Sequence, residues 1–265
     1  MKTLKELMDL SGRVALITGG SGYVGSTAGQ SLAELGAKVA VLDIEQEKCD
    51  AVATVLSETY KVDCVGLAVD LSATDEIARV PARVKERLGR LDIIIHSAAY
   101  TANVPGWAVP FEEQSVEPWD RAMRINMTAA FLLVQAAKDL LVQSKRGSVL
   151  FVSSIYGIVG PDMRLYKDTG MNNAAGYAAT KGGLLQLMRY LATVLAPHVR
   201  VNAISPGGIW RNQPEQFHER YKARTPLGRM ATEEDLKGAI AYLASDLSNY
   251  VTGHNLIIDG GWTAW

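Results

Sequence analysis

Val14-Ala15-Leu16-Ile17-Thr18-Gly19-Gly20-Ser21-Gly22-Tyr23-Val24-Gly25 joins a short apolar run to a cluster of glycines, and a helix-period segment, Ser26–Leu35, follows at once. Glycine lets the backbone turn tightly and approach a ligand closely. The first N–H groups of a helix lack intrahelical partners and sit at the positive end of its dipole, which favours anions. A glycine cluster alone is a plain turn. One placed after a first strand and before a helix predicts a pyrophosphate-binding loop, with Gly19, Ser21, Gly22, Tyr23, Val24 and Gly25 as its contacts.

The same alternation continues outward. Short apolar runs occur at Lys38–Asp43, Cys64–Asp70, Asp92–His96, Ser148–Ser153, Arg200–Ile204 and Asn255–Asp259. Between them lie helix-period segments at Gln46–Glu58, Glu76–Leu88, Pro118–Val142, Ala174–Leu195 and Glu233–Ala244. Strands that read as continuous apolar runs, separated by helices, predict an α/β fold whose parallel sheet is covered on both faces. The expectation is a doubly wound, Rossmann-type sheet of seven strands in one domain spanning 1–265, with ligands at the strand C-terminal ends. Three long segments at that edge, about residues 100–115, 155–173 and 207–230, are expected to form the substrate loops.

Composition narrows the class. The 265 residues are 48% hydrophobic with a formal charge of −1, and no basic tract points to nucleic acid. Cys49 and Cys64 belong to no CxxC or Cys/His cluster, so neither a disulfide framework nor a metal site is expected. Met1–Leu7 carries charge where a signal peptide needs an apolar run. No stretch is read as approaching the ~18 apolar residues of a membrane span. The expectation is a cytoplasmic protein with a small-molecule substrate.

Asp43 ends the second run, eighteen residues past Gly25. A carboxylate there accepts from both hydroxyls of an adenosine ribose and repels a 2′-phosphate, which predicts NAD over NADP. The absence of Arg or Lys beside the glycine loop favours the same choice. Asp43 also suits the N-cap of the helix that starts near Glu45. Asp70 and Leu71 are expected beside the adenine, and Asp70 equally suits an N-cap.

Tyr177 and Lys181 stand four residues apart in Ala175-Gly176-Tyr177-Ala178-Ala179-Thr180-Lys181, and so share one face of a helix. A free phenol has a pKa of about 10, and a neighbouring ammonium lowers it. The pair is therefore expected to act as a general acid/base near neutral pH. Taken alone, the spacing also suits a solvated helix face.

Further elements agree: Arg124-Ile125-Asn126-Met127, Ser153-Ser154, Asn202-x-x-Ser205-Pro206-Gly207, and Val251-Thr252-Gly253 leading to Asp259-Gly260-Gly261. With the glycine loop and the Tyr/Lys pair, the chain resembles the short-chain dehydrogenase/reductase family from Gly12 to Gly261, in its compact single-domain form. The resemblance implies Asn126, Ser154, Tyr177 and Lys181 as the catalytic set. It implies reversible hydride transfer between nicotinamide and a carbon bearing a hydroxyl. Tyr177 would exchange the proton, Ser154 would hold the substrate oxygen, and Lys181 would hold the nicotinamide ribose. Asn126 would hold a water leading from Lys181 to solvent, although a helix kink at that residue is a competing account. Ser97, Ala98, Ala99, Pro206, Gly207 and Ile209 complete the implied cofactor contacts. Homodimers or homotetramers through the segments Pro118–Val142 and Ala174–Leu195 are implied as well.

Two stretches depart from the compact pattern. The glycines fall at 19, 22 and 25, with Tyr23 where compact members carry a glycine. His96-Ser97-Ala98-Ala99 replaces Asn-Asn-Ala-Gly. Both variants resemble the extended branch of the family, which includes sugar-nucleotide epimerases and dehydratases. His96 is read either as a structural hydrogen-bonding group or as a substrate residue.

Tyr177 follows Ser154 by 23 residues, a longer gap than the family usually shows. The extra residues include Arg164, Tyr166 and Lys167, suited to an anionic group and a ring, or to a solvated loop. Trp210-Arg211-Asn212-Gln213 and Trp107 suggest a carbohydrate surface. His96, Tyr156, Arg164, Trp210 and Arg211 are the substrate candidates, and a polyol, sugar or phosphorylated sugar is the expected substrate. Transient oxidation, as in an epimerase or dehydratase, and a non-catalytic NAD-sensing regulator are the alternative functions.

Overall fold

The computed structural model describes residues 1–100 and 104–265. Its elements in chain order are α1 (Leu4–Met8), β1 (Val14–Thr18), α2 (Tyr23–Glu34), β2 (Lys38–Asp43), α3 (Gln46–Tyr60), β3 (Cys64–Ala68), α4 (Thr74–Leu88) and β4 (Ile93–His96). Then follow α5 (Val116–Ala122), α6 (Ala129–Gln143), β5 (Gly147–Val152), α7 (Ala175–Val194), β6 (Val199–Pro206), α8 (Glu215–Arg224), α9 (Glu234–Ala244) and β7 (Asn255–Ile258). The seven strands form one parallel sheet in the order β3-β2-β1-β4-β5-β6-β7. This is the expected doubly wound architecture. The strand order reverses between β1 and β4, and a crevice opens there at the strand C-terminal ends.

Strand alternation divides the core. Leu16, Leu42 and Ile94 face one layer, where they meet Val80 of α4, Leu133 of α6 and Leu184 of α7. Ile17, Val41 and Ile95 face the other, where they meet Leu32 of α2, Leu56 of α3 and Ile240 of α9. A third cluster lies outside the sheet: Ile155, Leu165, Tyr166, Phe217, Tyr221, Met230 and Trp262. It draws on the segments 155–173 and 207–230 and on the C-terminal residues, and it roofs the crevice. The segment expected at 100–115 is a loop where it is described; its residues 101–103 lie outside the described residues.

Two helical findings correct the sequence reading. The expected single helix Pro118–Val142 begins at Val116 and is interrupted by a π-helical turn, Met123–Thr128. Val116–Gln143 as a whole is also long and apolar enough to cross a membrane by length and composition. The expectation that no stretch approaches that length is therefore withdrawn. Its apolar face is nonetheless occupied: Ala129, Leu133, Val134, Ala137 and Leu141 are packed within the protein core. Helix α8 was not anticipated, because only Phe217 and Tyr221 of its ten residues are buried.

Candidate active site

The glycine turn is built as its sequence requires. A Cβ on Gly25 would stand 2.0 Å from the Gly19 carbonyl oxygen, and one on Gly19 would stand 2.8 Å from the Ala98 backbone. Helix α2 starts at Gly22 with no side-chain cap, so its first N–H groups face the crevice free. Ser21 donates from its backbone N–H (3.1 Å) and hydroxyl (2.6 Å) to one oxygen of Asp43, while the Ile44 N–H donates to the other. Asp43 is thus tied to the turn and does not cap α3, whose N-cap is Glu45. Asp70 accepts from the Ser72 N–H, and the N-cap of α4 is Ala73. Neither acid is spent on a helix end.

These residues line a cleft of about 840 Å³. Gly19, Gly22, Tyr23, Val24 and Gly25 form one end, with Asp43, Asp70 and Leu71 beside them. Ser97, Ala98, Ala99, Pro206, Gly207 and Ile209 line the middle. Ser21 does not line the cleft and acts through Asp43. The uncapped helix start and the acid at the end of β2 fit an anionic dinucleotide with free ribose hydroxyls. Arg211 adds a buried Nε–H that has no partner.

Arg211 also corrects an expectation. Remote in sequence from the glycine turn, it folds back so that its guanidinium lies 4.3 Å from the Tyr23 ring centroid. An arginine therefore does stand beside the turn. Glu233 pairs with it at 2.7 Å, so its charge is largely compensated.

Ser154, Tyr177 and Lys181 line the same cleft. Ser154 ends the strand run and caps a 3₁₀ turn, Ile155–Gly157, through the Tyr156 N–H. Tyr177 and Lys181 lie on the same side of α7, with the Lys181 Nζ 5.6 Å from the Tyr177 ring centroid. The electrostatics differ from expectation. Burial pushes the Tyr177 phenol up, and the hydrogen bond from Ser154 offsets this only in part. Lys181 is 2% exposed, donates to the Val152 carbonyl oxygen at 2.7 Å, and is lowered by burial to about 8. Desolvation of the phenolate outweighs the pull of a cation already held by a carbonyl.

Asn126 sits inside the π-helical turn, fully buried. Its Oδ1 accepts from the Tyr100 N–H (2.7 Å) and its Nδ2 donates to the Thr180 hydroxyl (2.9 Å). The His96 Nε2 meets its backbone carbonyl at 3.2 Å. A π turn releases carbonyls from the α-helical ladder, and His96 captures this one. A carbonyl only accepts, so Nε2 carries the hydrogen and Nδ1 accepts from the Thr18 hydroxyl at 2.9 Å. Asn126 is thus engaged on both side-chain atoms and on its carbonyl.

His96 is 1% exposed and does not line the cleft. Burial, with the Lys181 charge adding to it, lowers His96 to about 3. The substrate role is overturned, and the structural hydrogen bond is what the molecule contains. Arg164 is also misplaced by the sequence reading. Its side chain is 82% exposed, paired with Asp162, and turned to the outer face of the roof. Trp210 stacks one ring face on His218 and does not line the cleft, and Trp107 is buried against Tyr100, so neither presents its ring to the cleft. Tyr156 and Arg211 do line it. Sequence reasoning missed Phe217, Tyr221 and Met230 at the substrate end. The spacing of Phe217 and Tyr221, four apart after Pro214, was the available signal. Glu215, His218 and Glu219 approach one another within 4.8 Å on α8, away from the cleft.

A doubly wound sheet with a glycine turn at its reversal and a Ser/Tyr/Lys group at the cleft defines a nucleotide-binding oxidoreductase. A family model described as enoyl-(acyl carrier protein) reductase matches residues 22–263. A 2,5-dichloro-2,5-cyclohexadiene-1,4-diol dehydrogenase of Sphingobium indicum is 33% identical over 96% of this chain and 97% of its own length. A 3-oxoacyl-(acyl-carrier-protein) reductase of Thermotoga maritima is 33% identical over 96% and 99%. The solved short-chain dehydrogenase of Leptospira borgpetersenii with bound NAD⁺ is 36% identical, with a TM-score of 0.83 over 99% of this chain and 96% of that one. The chain belongs to the short-chain dehydrogenase/reductase family.

Proposed function

We propose that the protein is an NAD-dependent oxidoreductase that interconverts a secondary alcohol and a ketone on a small, neutral polyol or cyclic diol. The observation that carries this reading is the convergence of Ser154, Tyr177 and Lys181 on the cleft that begins at the uncapped glycine turn and Asp43. Asp43 supports NAD, since a carboxylate repels a 2′-phosphate; the bound NAD⁺ of the Leptospira relative agrees. A bound nicotinamide dinucleotide supplies the hydride acceptor and, when oxidised, a positive charge.

The chain's own residues do the rest. Tyr177 takes the hydroxyl proton of the substrate, and its raised pKa makes it a proton donor in the reverse direction. Ser154 donates to the substrate oxygen and shares the charge that develops there. Lys181, held in place by Val152, keeps its remaining N–H groups for the cleft. Asn126 fixes Tyr100 and Thr180 around the pair. The roof encloses the substrate end in aromatic and apolar surface from Tyr156, Tyr166, Phe217, Tyr221 and Met230. Arg164 lies outside the cleft, which removes support from the phosphorylated-sugar branch. The cyclohexadiene-diol named for the Sphingobium relative is a neutral ring bearing two hydroxyls, which supports the same substrate class.

An assay with cyclic diols, open-chain polyols, free sugars and sugar phosphates, each with NAD⁺ and with NADP⁺, tests the reading. Accumulation of reduced cofactor with NAD⁺ and a neutral diol or polyol is expected. Turnover confined to NADP⁺ or to sugar phosphates overturns it. Assembly as a homodimer or homotetramer accompanies the reading. Trp119 and Phe131 on α5 and α6, and Tyr190 and Val194 on α7, are exposed and supply apolar surface for it. Light scattering checks this. The free thiols Cys49 and Cys64 suit a reducing cytoplasm.

A further inference from the structure

The substrate end of the cleft contains one polar feature that the hydride-transfer chemistry does not use. The Tyr156 and Tyr166 hydroxyls face each other at 2.7 Å, and both residues line the cleft. Tyr166 is 8% exposed and is held by ring contact with Phe217 at 5.3 Å. Tyr156 is braced by Trp262 at 6.4 Å. Tyr166 comes from the long segment between Ser154 and Tyr177, so the extra residues place this oxygen over the cleft.

Hydrogen counting shows what such a pair can recognise. Two phenols carry two O–H hydrogens, and their mutual bond consumes one. The Asn173 side chain also bonds the Tyr166 oxygen, so Tyr166 donates to Tyr156, and the remaining donor and free lone pair are those of Tyr156. That is the complement of an alcohol, which also needs one of each. A carboxylate or phosphate oxygen needs donors only and would meet a lone pair. Burial holds the phenols above their ordinary range, so both stay protonated and neutral at working pH. Beside them stand Ile155, Phe217 and Met230, and the nearby Tyr221 hydroxyl already accepts from the Gly208 N–H. A second substrate hydroxyl buried there without a partner would cost free energy that the pair recovers.

We propose that the Tyr156–Tyr166 hydroxyl pair is a subsite for a second, non-reacting hydroxyl, so that the enzyme selects diols over alcohols with a single hydroxyl. The proposal rests on the NAD-linked alcohol oxidation set out above.

Steady-state oxidation of cyclohexanol and of the 1,2-, 1,3- and 1,4-cyclohexanediols with NAD⁺ tests it, using the full chain and the variants Tyr156→Phe, Tyr166→Phe and the double variant. At least one diol is expected to exceed cyclohexanol in kcat/KM by about tenfold or more. Each single variant should reduce that diol-to-cyclohexanol ratio by about tenfold, mainly through KM. The double variant should do little more than either single one, because the two oxygens act as a unit. NADH affinity and thermal midpoint report that the variants are folded. A ratio that starts near one, or that survives both substitutions, overturns the subsite while oxidation of cyclohexanol leaves the reaction class standing. No oxidation of any of the four alcohols overturns the subsite, and the reaction class is then decided by the open-chain polyols and free sugars of the wider assay.

Discussion

The floor and the roof of the cleft are built on different principles. The floor is backbone: a glycine turn, the ends of β1, β4, β5 and β6, and a π turn whose freed carbonyl is tied to His96. Its side chains have few alternatives, because each is fixed by sheet register or by a buried hydrogen bond. The roof is side-chain packing between three segments that are distant in sequence, centred on Tyr166, Phe217, Tyr221 and Trp262. The contrast separates chemistry from selectivity. Changes in the floor should alter every substrate alike, whereas changes in the roof should alter one substrate relative to another.

The largest effect is expected on the floor. Tyr177→Phe removes the proton-exchanging oxygen and leaves the ring in place. Turnover should fall on the order of 10³-fold for every alcohol, with NADH affinity unchanged in a fluorescence titration. Retention of more than about a tenth of the rate would remove Tyr177 from the mechanism.

His96 gives the floor a second signature, this time in stability. Its folded pKa of about 3 lies below the ordinary histidine value of 6.5. Between those values the unfolded chain binds a proton and the native state does not. Stability is therefore intact above about pH 6.5 and is lost as pH falls towards 3. His96→Asn keeps an acceptor for the Thr18 hydroxyl where Nδ1 stood, and it does not titrate. Urea unfolding at pH 7 and pH 4 should show the acid loss shrink by about 3 kcal/mol in the variant. An unchanged loss would mean that other groups govern acid unfolding.

Asp43→Asn sharpens the comparison inside the floor itself. The amide keeps an acceptor for Ser21 and removes the charge. The NADP⁺-to-NAD⁺ ratio of kcat/KM should rise by about tenfold, equally for every substrate. A ratio that does not move would contradict the ribose assignment and shift attention to Arg211, which the fold brings to the turn through Tyr23.

Legibility followed the same division. The glycine turn, Asp43, Ser154, Tyr177 and Lys181 were readable because local sequence fixes local backbone, and the strands fix where the backbone ends. The roof was not, because side-chain direction in long connections depends on partners remote in the chain. Arg164 looked like a ligand until Asp162 drew it outward. Trp107 looked like a platform until Tyr100 and Ala174 enclosed it. His96 was half legible: its substitution was visible, but its partner exists only because the helix takes a π turn at Asn126. The direction of the Tyr177 shift was misread for a related reason. Spacing shows that an ammonium is near a phenol, but not that a carbonyl already holds it or that burial costs more than it returns.

The smallest effect is expected in the roof, and it is the one that best discriminates the two regions. Phe217 lies 5% exposed, against Tyr166 on one side and Tyr221 on the other. No backbone hydrogen bond of the sheet depends on it. Phe217→Ala should let the Tyr166 ring relax into the vacated space, since a satellite cluster can collapse more readily than a sheet core. KM for the preferred diol should rise about fivefold, with kcat nearly unchanged and NADH affinity unaltered. Loss of kcat in proportion would mean that roof packing reaches Tyr177, and the separation of floor from roof would fail. Loss of NADH affinity would place the cofactor under the roof's control instead of the glycine turn's.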